Sequence, residues 1–596
     1  MKHRLEIDGL RTIAVMPVLF SHAGFAAFSG GFVGVDIFFV ISGYLITGII
    51  VSELDENKFS LWRFYERRTR RILPALFVVM AVTLVAGWLL MGADAFQNLG
   101  QSVVATTLFS NNVLLTLTSG YWDTESQFKP LLHTWSLGVE EQYYFAVPLV
   151  LMAVHRYSRP HLPHAIAVIG AVSFALCLWS MGHAPVANFY LLHTRAWELA
   201  VGGWAASIRL NATAPSSDRL SILGLALIAV AIFSLPEGMP SPSPVILLPV
   251  VGSALVLMFC RAGFAHRLLS SRPMVGIGLI SYSTYLWHQP LFAFLRVASA
   301  DTPPVWQFGA LIAVALVLAW ISWRFIEAPF RDRRMGIRTV AAILLPTALA
   351  LLAAGTLLHL RGGLPGRFDV APGAEPAGSY KAFNMRVFSY KQDAFPADAQ
   401  NRMLVVGNST ARDFVNMAVE TNSMPEYRIV YRDDIDLCRL DRETAMKRSL
   451  VAGATLVVVV YGHLPGQVCD GRILAQSSAL RGKTVFVGPK DFGVNINPAS
   501  RLPLAARPAA TVALSDDALA ASKLYKSISP PELYVDIIAH LSADGLRVPI
   551  YDGAGRILSE DRVHVTRAGA LLVGERVFRD PAWAGVSHPL PVREPR

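Results

Sequence analysis

The sequence predicts a multi-pass α-helical membrane domain of about eleven spans joined to a C-terminal α/β domain in water. Two observations carry this. Of 596 residues, 53% are hydrophobic and only 16% charged, too apolar a balance for an ordinary soluble protein. The hydrophobicity is also uneven: roughly the first 360 residues alternate long apolar runs with short basic loops, and the remainder alternates short apolar runs with helical patterns.

The apolar runs lie near residues 10–28, 32–51, 75–92, 134–154, 165–182, 190–208, 219–235, 245–260, 273–297, 305–327 and 338–358, with a weaker one at 100–117. The loops between them decide the status of the weak segment. Lys58, Arg63, Arg67, Arg68, Arg70 and Arg71 fall in one loop; Arg156 with Arg159, Arg209 with Arg219, Arg261 with Arg267 and Arg272, and Arg331 with Arg333, Arg334 and Arg338 follow in later ones. Positive loops stay cytoplasmic, and all of these do so only if 100–117 does not cross. Its Asn111-Asn112 pair and its Thr and Ser residues fit a re-entrant or interfacial segment. The C-terminal domain then faces outward. The net charge of +10 reports this topology and not a nucleic-acid partner, since the soluble part lacks an aromatic-basic pattern.

The predicted order is a membrane domain at 1–335, an additional transmembrane helix at 336–360, a Gly/Pro/Ala-rich linker at 361–400, an extracytoplasmic domain at 401–580 and a loose tail at 581–596. Met1-Lys2-His3-Arg4 is a basic start with no small-residue cleavage site after it, so the first span is expected to stay as an anchor. Four cysteines form neither a disulfide scaffold nor a zinc motif. Cys177 and Cys260 fall in apolar spans as packing residues, whereas Cys438 and Cys469, in the outward domain, form either a disulfide or two buried thiols.

Polar groups inside apolar spans are costly and are usually kept for function. Arg11 and His22 share the first span, eleven residues apart; this is close to three helical turns, so both face one side about 16 Å apart along the axis. That spacing suits a long charged donor, with phosphate at the arginine and a thioester at the histidine. The bland alternative is a snorkelling arginine and a histidine satisfied by a neighbouring helix. Arg67, Arg68, Arg70 and Arg71 either bind phosphate or act only as a topology signal. Glu140 and Glu141 offer one carboxylate to orient an imidazole or meet sugar hydroxyls and one for structure. Asp36, Tyr44, Arg195 and His288 are either site residues or intramembrane packing partners.

In the C-terminal half, 403–407, 455–460, 484–487 and 547–551 read as strands. The first leads into Asn408-Ser409-Thr410 and a helix, and Asp561-Arg562-Val563-His564 precedes another helix near the end. A serine on a strand-to-helix turn, with an aspartate and a histidine held together downstream, is a nucleophilic arrangement: Ser409 attacks, His564 takes its proton and Asp561 orients the histidine.

Blocks spread in order over the membrane half resemble the acyltransferase-3 family. Arg11 and His22 match its basic residue and histidine with ten residues between them. Other matches are Gly34-Val35-Asp36-Ile37-Phe38-Phe39 with Ser42-Gly43-Tyr44-Leu45, and Phe64-Tyr65-Glu66-Arg67-Arg68. Further blocks are His133-Thr134-Trp135-Ser136-Leu137-Gly138-Val139-Glu140-Glu141, Arg195-Ala196-Trp197-Glu198, Ser281-Tyr282-Ser283-Thr284-Tyr285-Leu286-Trp287-His288 and Arg324-Phe325-Ile326-Glu327-Ala328-Pro329. The resemblance implies transfer of an acyl group, usually acetyl, from cytoplasmic acetyl-CoA to a hydroxyl of an extracytoplasmic sugar, with His22 as general base or as acyl carrier.

The C-terminal domain resembles the SGNH hydrolases, with Ser409 as nucleophile and Asp561 and His564 as their Asp-x-x-His unit. Asn408 stands where Asp is usual, and only Gly462-His463 offers a place for the oxyanion hole. The pairing resembles bacterial O-antigen and peptidoglycan O-acetyltransferases. It implies an inner-membrane protein with its C-terminal domain in the periplasm, acyl-CoA and a surface polysaccharide or lipid-linked glycan as partners, surrounding membrane lipids, and neither metal nor nucleic acid. The expected mechanism is a relay from acetyl-CoA through His22 and Ser409 to a lipopolysaccharide O-antigen, with peptidoglycan as the alternative acceptor. Two other classes compete: a glycan transporter or flippase with an outer sugar-binding module, and an outer esterase on a structural membrane half.

Overall fold

The structure is a computed structural model that describes residues 3–118, 126–211, 216–368, 371–373, 379–462 and 469–585. The chain divides into two compact units: residues 1–89, 98–296 and 303–359, and residues 90–97, 297–302 and 360–596.

The first unit is helical. In chain order its helices are α1 Leu5–His22, α2 Gly34–Asp55, α3 Leu61–Leu90, α4 Ala93–Thr107, α5 Asn111–Thr118, α6 Thr134–Ser158, α7 Leu162–His183, α8 Pro185–Tyr190, α9 Leu192–Asn211, α10 Asp218–Ser234, α11 Leu247–Phe259, α12 Gly263–Leu269, α13 Arg272–Ala298, α14 Val305–Ser322, α15 Ala328–Arg331 and α16 Ile337–Leu360. Among the described residues five stretches are long and apolar enough to cross a membrane: Gly31–Asp55, Leu61–Leu90, Thr134–His183, Val305–Arg331 and Ile337–Leu360. The bent pair Pro244–Phe259 and Gly263–Leu269 makes a sixth if it counts as one span. The other spans expected from sequence coincide with helices that are shorter or more polar, as α1 is with Glu6, Asp8 and Arg11.

Segment 100–117 is helical but broken. α4 and α5 part around Phe109, which takes a positive φ of 52°. Asn111 donates to the Leu131 carbonyl at 3.0 Å and to Thr134 Oγ1 at 2.8 Å, and Asn112 donates to Gln142 Oε1 and the Tyr190 carbonyl, each at 3.2 Å. Irregular backbone survives within a helical bundle when protein groups satisfy it in this way. Elsewhere small residues set the packing: Gly43 lies on the Leu199 carbonyl and Gly202 on the Val40 carbonyl, so a Cβ at either would push α2 and α9 apart.

The second unit is an α/β domain. Strands β1 Asn401–Gly407, β2 Tyr427–Arg432, β3 Leu456–Val460, β4 Thr484–Val487 and β6 Tyr534–Val535 form one sheet in the order β2-β1-β3-β4-β6, and all its neighbours are parallel. β5 Thr511–Ala513 and β7 Arg547–Pro549 pair separately and antiparallel. Helices α17 Ser379–Met385, α18 Ser409–Thr421, α19 Ala445–Gly453, α20 Gly471–Gln476, α21 Asp516–Ile528, α22 Ile537–Leu541 and α23 Arg567–Val577 complete it. The β-branched runs of β3 and β4 are buried throughout, as strands covered on both faces must be.

Three expectations need correction. The linker at 361–400 is not all linker: α17 and the turn after it carry Phe383 and Val387 into the apolar core of this unit, and Arg386 bonds Asn416 and Glu420. The tail begins later than 581, because Ala582 and Trp583 are buried and the Trp583 indole donates to the Val577 carbonyl at 2.8 Å. The strand read at 547–551 is present but shorter, Arg547–Pro549. Of the two readings for the cysteines of the α/β unit, Cys438 and Cys469 form the disulfide, with Cα atoms 5.4 Å apart, while Cys177 and Cys260 are buried free thiols.

Candidate functional site

Two constellations stand out, one in each unit. In the helical unit, α1 ends at His22, α6 starts just after His133, and α13 carries His288. His22 Nδ1 lies 3.2 Å from His288 Nε2, and the two ring planes are 24° apart. His133 stands edge-on to His288 and to Tyr285, with no side-chain partner for either ring nitrogen among the described residues. His133 is 2% exposed and His288 0%, whereas His22 is half-buried. The Tyr285 hydroxyl pairs with Ser136 at 2.9 Å and donates to the His133 carbonyl at 3.1 Å. Arg296 donates to the His22 carbonyl at 2.7 Å, where a cation complements the C-terminal end of α1.

One helix length away, Arg11 pairs with Asp8 at 2.8 Å and borders two cavities. A cavity of about 650 Å³ is lined by Arg11, Arg63, Arg67, Arg70, Arg71 and Arg331, among other residues. A second, of about 360 Å³, is lined by Arg11, Arg68, Arg71, Glu140, Tyr144 and Tyr282, among others. The arginines of α3 differ in what they touch. Arg70 is held by Glu66 and by the carbonyls of Phe330 and Met335, Arg67 by Glu53, and Arg68 by Glu141 at 2.7 Å with its guanidinium over the Tyr144 ring. Arg71 has no carboxylate partner among the described residues; the charges around it are Arg11, Arg331 and Arg68. Such a convergence of guanidinium groups on a cavity is a site for a polyanion.

The other membrane candidates fall in two groups. Glu140 lines the smaller cavity and accepts from Ser42 at 2.9 Å and Tyr144 at 3.2 Å, and Tyr44 lines it too. Glu141 is spent on Arg68. Neither glutamate is hydrogen-bonded to a histidine among the described residues. Asp36 and Arg195 pair with each other at 2.8 Å, both almost fully buried. Glu198 approaches the same guanidinium at 3.3 Å, and Phe39, Trp135 and Phe189 surround it. Neither Asp36 nor Arg195 lines the two arginine cavities, so their geometry is that of a buried structural pair.

In the α/β unit the sheet order places the reversal of winding between β1 and β3. In doubly wound sheets ligands bind beyond the carboxyl ends of the strands at that point. β1 ends there at Gly407, whose φ of 148° and closeness to the Val460 carbonyl exclude a side chain. Asn408 caps α18 by accepting from the Thr410 amide and hydroxyl at 3.1 and 2.6 Å, which leaves Ser409 as the first residue of the helix. β3 is followed by Tyr461, whose carbonyl accepts from Thr410, and by Gly462, which sits against the Asn408 side chain. His463 lies outside the described residues.

Asp561 Oδ2 meets His564 Nδ1 at 2.6 Å, and Oδ1 accepts the amides of Val563 and His564 at 3.0 and 2.8 Å. Burial works to raise the Asp561 carboxyl, but the charge and hydrogen bonds of His564 outweigh it and hold the group below its ordinary range. The dyad loop is brought to α18: the Val565 amide donates to Asp413, one turn from Ser409, at 3.4 Å.

Sequence reading missed much of this scaffold. Lys490 forms a fully buried pair with Asp413 at 2.5 Å. Asp491 accepts from the Ser515 amide at 2.8 Å and approaches Arg562 at 3.6 Å; burial raises its carboxyl more than Arg562 lowers it. The Tyr380 hydroxyl donates to the His564 carbonyl at 3.0 Å. In the membrane unit His133 was missed as a site residue, as was Glu327, which accepts from Ser283 and Arg331, each at 2.5 Å. Trp323–Glu327 forms a π-helical turn, a feature that often marks functional sites.

Comparison with known proteins bears on the helical unit. A family model described as an acyltransferase domain, acyltransferase-3, matches residues 4–324. Peptidoglycan O-acetyltransferase OatA of Listeria monocytogenes is 30% identical over 349 residues, 55% of this chain and 56% of its own length. The putative peptidoglycan O-acetyltransferase YrhL of Bacillus subtilis is 29% identical over 394 residues, 60% of this chain and 62% of its own length. O-acetyltransferase OatA of Staphylococcus aureus is 29% identical over 346 residues, 55% of this chain and 57% of its own length. This chain thus spans less than two thirds of the length of these relatives. No solved structure matches it.

Proposed function

Because this chain belongs to the acyltransferase-3 family, we propose that it is a membrane O-acetyltransferase that takes acetyl from acetyl-CoA and delivers it to a hydroxyl of an extracytoplasmic glycan. The relatives named for peptidoglycan move the proposed acceptor from O-antigen to peptidoglycan. The observation that carries the reading is on α1: His22, hydrogen-bonded through one nitrogen, shares its helix with Arg11, which borders a cavity also lined by the carboxylate-free Arg71.

In this reading the guanidinium groups of Arg11 and Arg71 hold the donor phosphates from the cytoplasmic side. The acceptor hydroxyl loses its proton to His22 as its oxygen bonds to the thioester carbonyl carbon. The C–S bond then breaks, and CoA leaves as the thiol with the proton that His22 returns. Acceptance of the acyl group by His22 itself uses the same position. In the outer unit Ser409 Oγ attacks the acetyl group held by that first acceptor or by His22 and gives its proton to His564. The bond to the first holder breaks, the freed oxygen or nitrogen takes up that proton from His564, and the acetyl group stays on Ser409. A glycan hydroxyl then attacks the acyl-serine with His564 again taking the proton, and Ser409 recovers its own. Bacterial cytoplasmic membrane is the proposed location, with the α/β unit outside.

The test uses cells with and without the protein. Base-labile acetate on purified peptidoglycan is expected to fall to background without it and to return with the intact gene. Acetate that stays on peptidoglycan but disappears from another surface polysaccharide would reassign the acceptor. Glycan movement without CoA release would mark a transporter, and deacetylation surviving His22→Ala an esterase.

A further inference from the structure

We propose that His288 is the positioning residue that fixes the tautomer of His22; the proposal rests on the reading of His22 as the group that handles acyl transfer. The argument is one of donors and acceptors. His288 Nδ1 lies 2.6 Å from the Tyr285 carbonyl oxygen, and a carbonyl only accepts, so Nδ1 carries the hydrogen. A neutral imidazole has one N–H. His288 Nε2 is therefore an acceptor, and its partner at 3.2 Å, His22 Nδ1, is the donor. With its own single N–H placed at Nδ1, His22 is left with a bare lone pair on Nε2.

That nitrogen is the one the site leaves open. His22 Nε2 has no hydrogen-bond partner among the described residues and is absent from the buried, unsatisfied atoms, and His22 is the one histidine of the three that is not fully buried. The rings meet edge to edge: the N···N separation of 3.2 Å is much shorter than the 5.4 Å between centroids, and the planes diverge by 24°. This is the arrangement of an in-plane N–H···N bond. Among the described residues the groups facing His288 are His22, His133, Tyr285 and Arg296, none of them an anion, so no described carboxylate holds a second proton on the pair. The result is a directed chain, from His22 Nδ1–H to His288 Nε2 and from His288 Nδ1–H to the Tyr285 carbonyl, anchored on the backbone of α13.

The sequence hides this role. His22 and His288 are 266 residues apart, and His288 sits three residues after the carbonyl that orients it, a spacing any helical histidine has.

The experiment uses the full-length protein in lipid nanodiscs, with acetyl-CoA as donor and soluble peptidoglycan fragments as acceptor, reading release of CoA thiol. His288→Phe fills the space without an acceptor. It is expected to lower kcat by two to four orders of magnitude, as loss of the correct tautomer does in a serine protease triad, with the KM for acetyl-CoA unchanged. His288→Gln, whose amide oxygen can accept from His22 Nδ1, is expected to recover at least a tenth of the wild-type rate. Nitrogen-15 NMR of labelled histidine is expected to show His22 with a protonated Nδ1 and a bare Nε2 in the wild type and in His288→Gln, and the other tautomer prevailing in His288→Phe. A His288→Phe protein that turns over normally, or a His22 whose hydrogen sits on Nε2 in the wild type, overturns the proposal. His22→Ala separates the two levels: if it is inactive while His288→Phe is normal, only the role of His288 fails; if it is active, the reading of His22 fails as well.

Discussion

The two histidine sites solve one problem in different surroundings. In the α/β unit His564 is oriented by a carboxylate, and Asp561 keeps its charge because two backbone amides and the imidazole solvate it. In the helical unit His22 leans on another imidazole and through it on a backbone carbonyl. An unpaired carboxylate beside His22 would bear the full desolvation penalty of an apolar interior. Where the helical unit does bury a carboxylate, at Asp36, it spends Arg195 on it. The comparison teaches that an orienting group is chosen by what the medium allows it to be, and that a neutral partner suits a site placed among membrane helices.

The largest expected effect is in the α/β unit. Ser409→Ala and His564→Ala are each expected to lower acetyl delivery to glycan by about four orders of magnitude or more, and the double variant by little more, because members of one catalytic unit act non-additively. Asp561→Asn is expected to be nearly as severe, since its amide can leave His564 in the wrong tautomer. Glycan acetate per mole of folded protein measures all three. Near-normal transfer in Ser409→Ala would leave the outer unit as a binding module and break the comparison at once.

Next comes His22→Ala, expected to cost on the order of 10² to 10⁴ in CoA release while the protein still inserts and folds. Arg71→Gln should be milder. Losing one charge-assisted contact to phosphate should raise the KM for acetyl-CoA roughly ten- to a hundredfold with kcat little changed. A kcat effect without a KM effect would remove Arg71 from donor binding.

The smallest effect concerns pH in the α/β unit. Hydrogen bonds from Arg432 hold Asp434 down to about 2, so the pair contributes stability above the ordinary carboxylate range and loses it as pH falls toward 2. Asp434 is well exposed, and solvent screening limits the contribution to at most about 1 kcal/mol. Hydrogen exchange around Arg432 should therefore distinguish Asp434→Asn from wild type at pH 5 and cease to do so near pH 2.

Much of the architecture was legible in the sequence because it is local. Apolar runs marked the helices, and the strand before Ser409 and the Asp561–His564 spacing marked an outer dyad that the structure closes to 2.6 Å. Strand β2 escaped because Tyr427 to Arg432 interleaves arginines at the edge of the sheet, and α17 because the Gly/Pro-rich stretch before it masked Phe383 and Val387. What sequence could not show is long-range. Helical periodicity gives the face of α1 that carries His22 but not which helix meets it, so His133 and His288 could not be assembled with it. The buried pair Lys490–Asp413 likewise joins the loop after β4 to α18, where a lone lysine after a strand reads as solvated.

The central claim is that acetyl reaches the outer serine through the histidine of α1. Mass spectrometry of full-length protein in nanodiscs, incubated with acetyl-CoA and no glycan, tests it directly. The account predicts an acetyl group on Ser409 in the wild type and none in His22→Ala; equal acetylation of Ser409 in the two proteins, or none in a wild type that acetylates glycan, would contradict it.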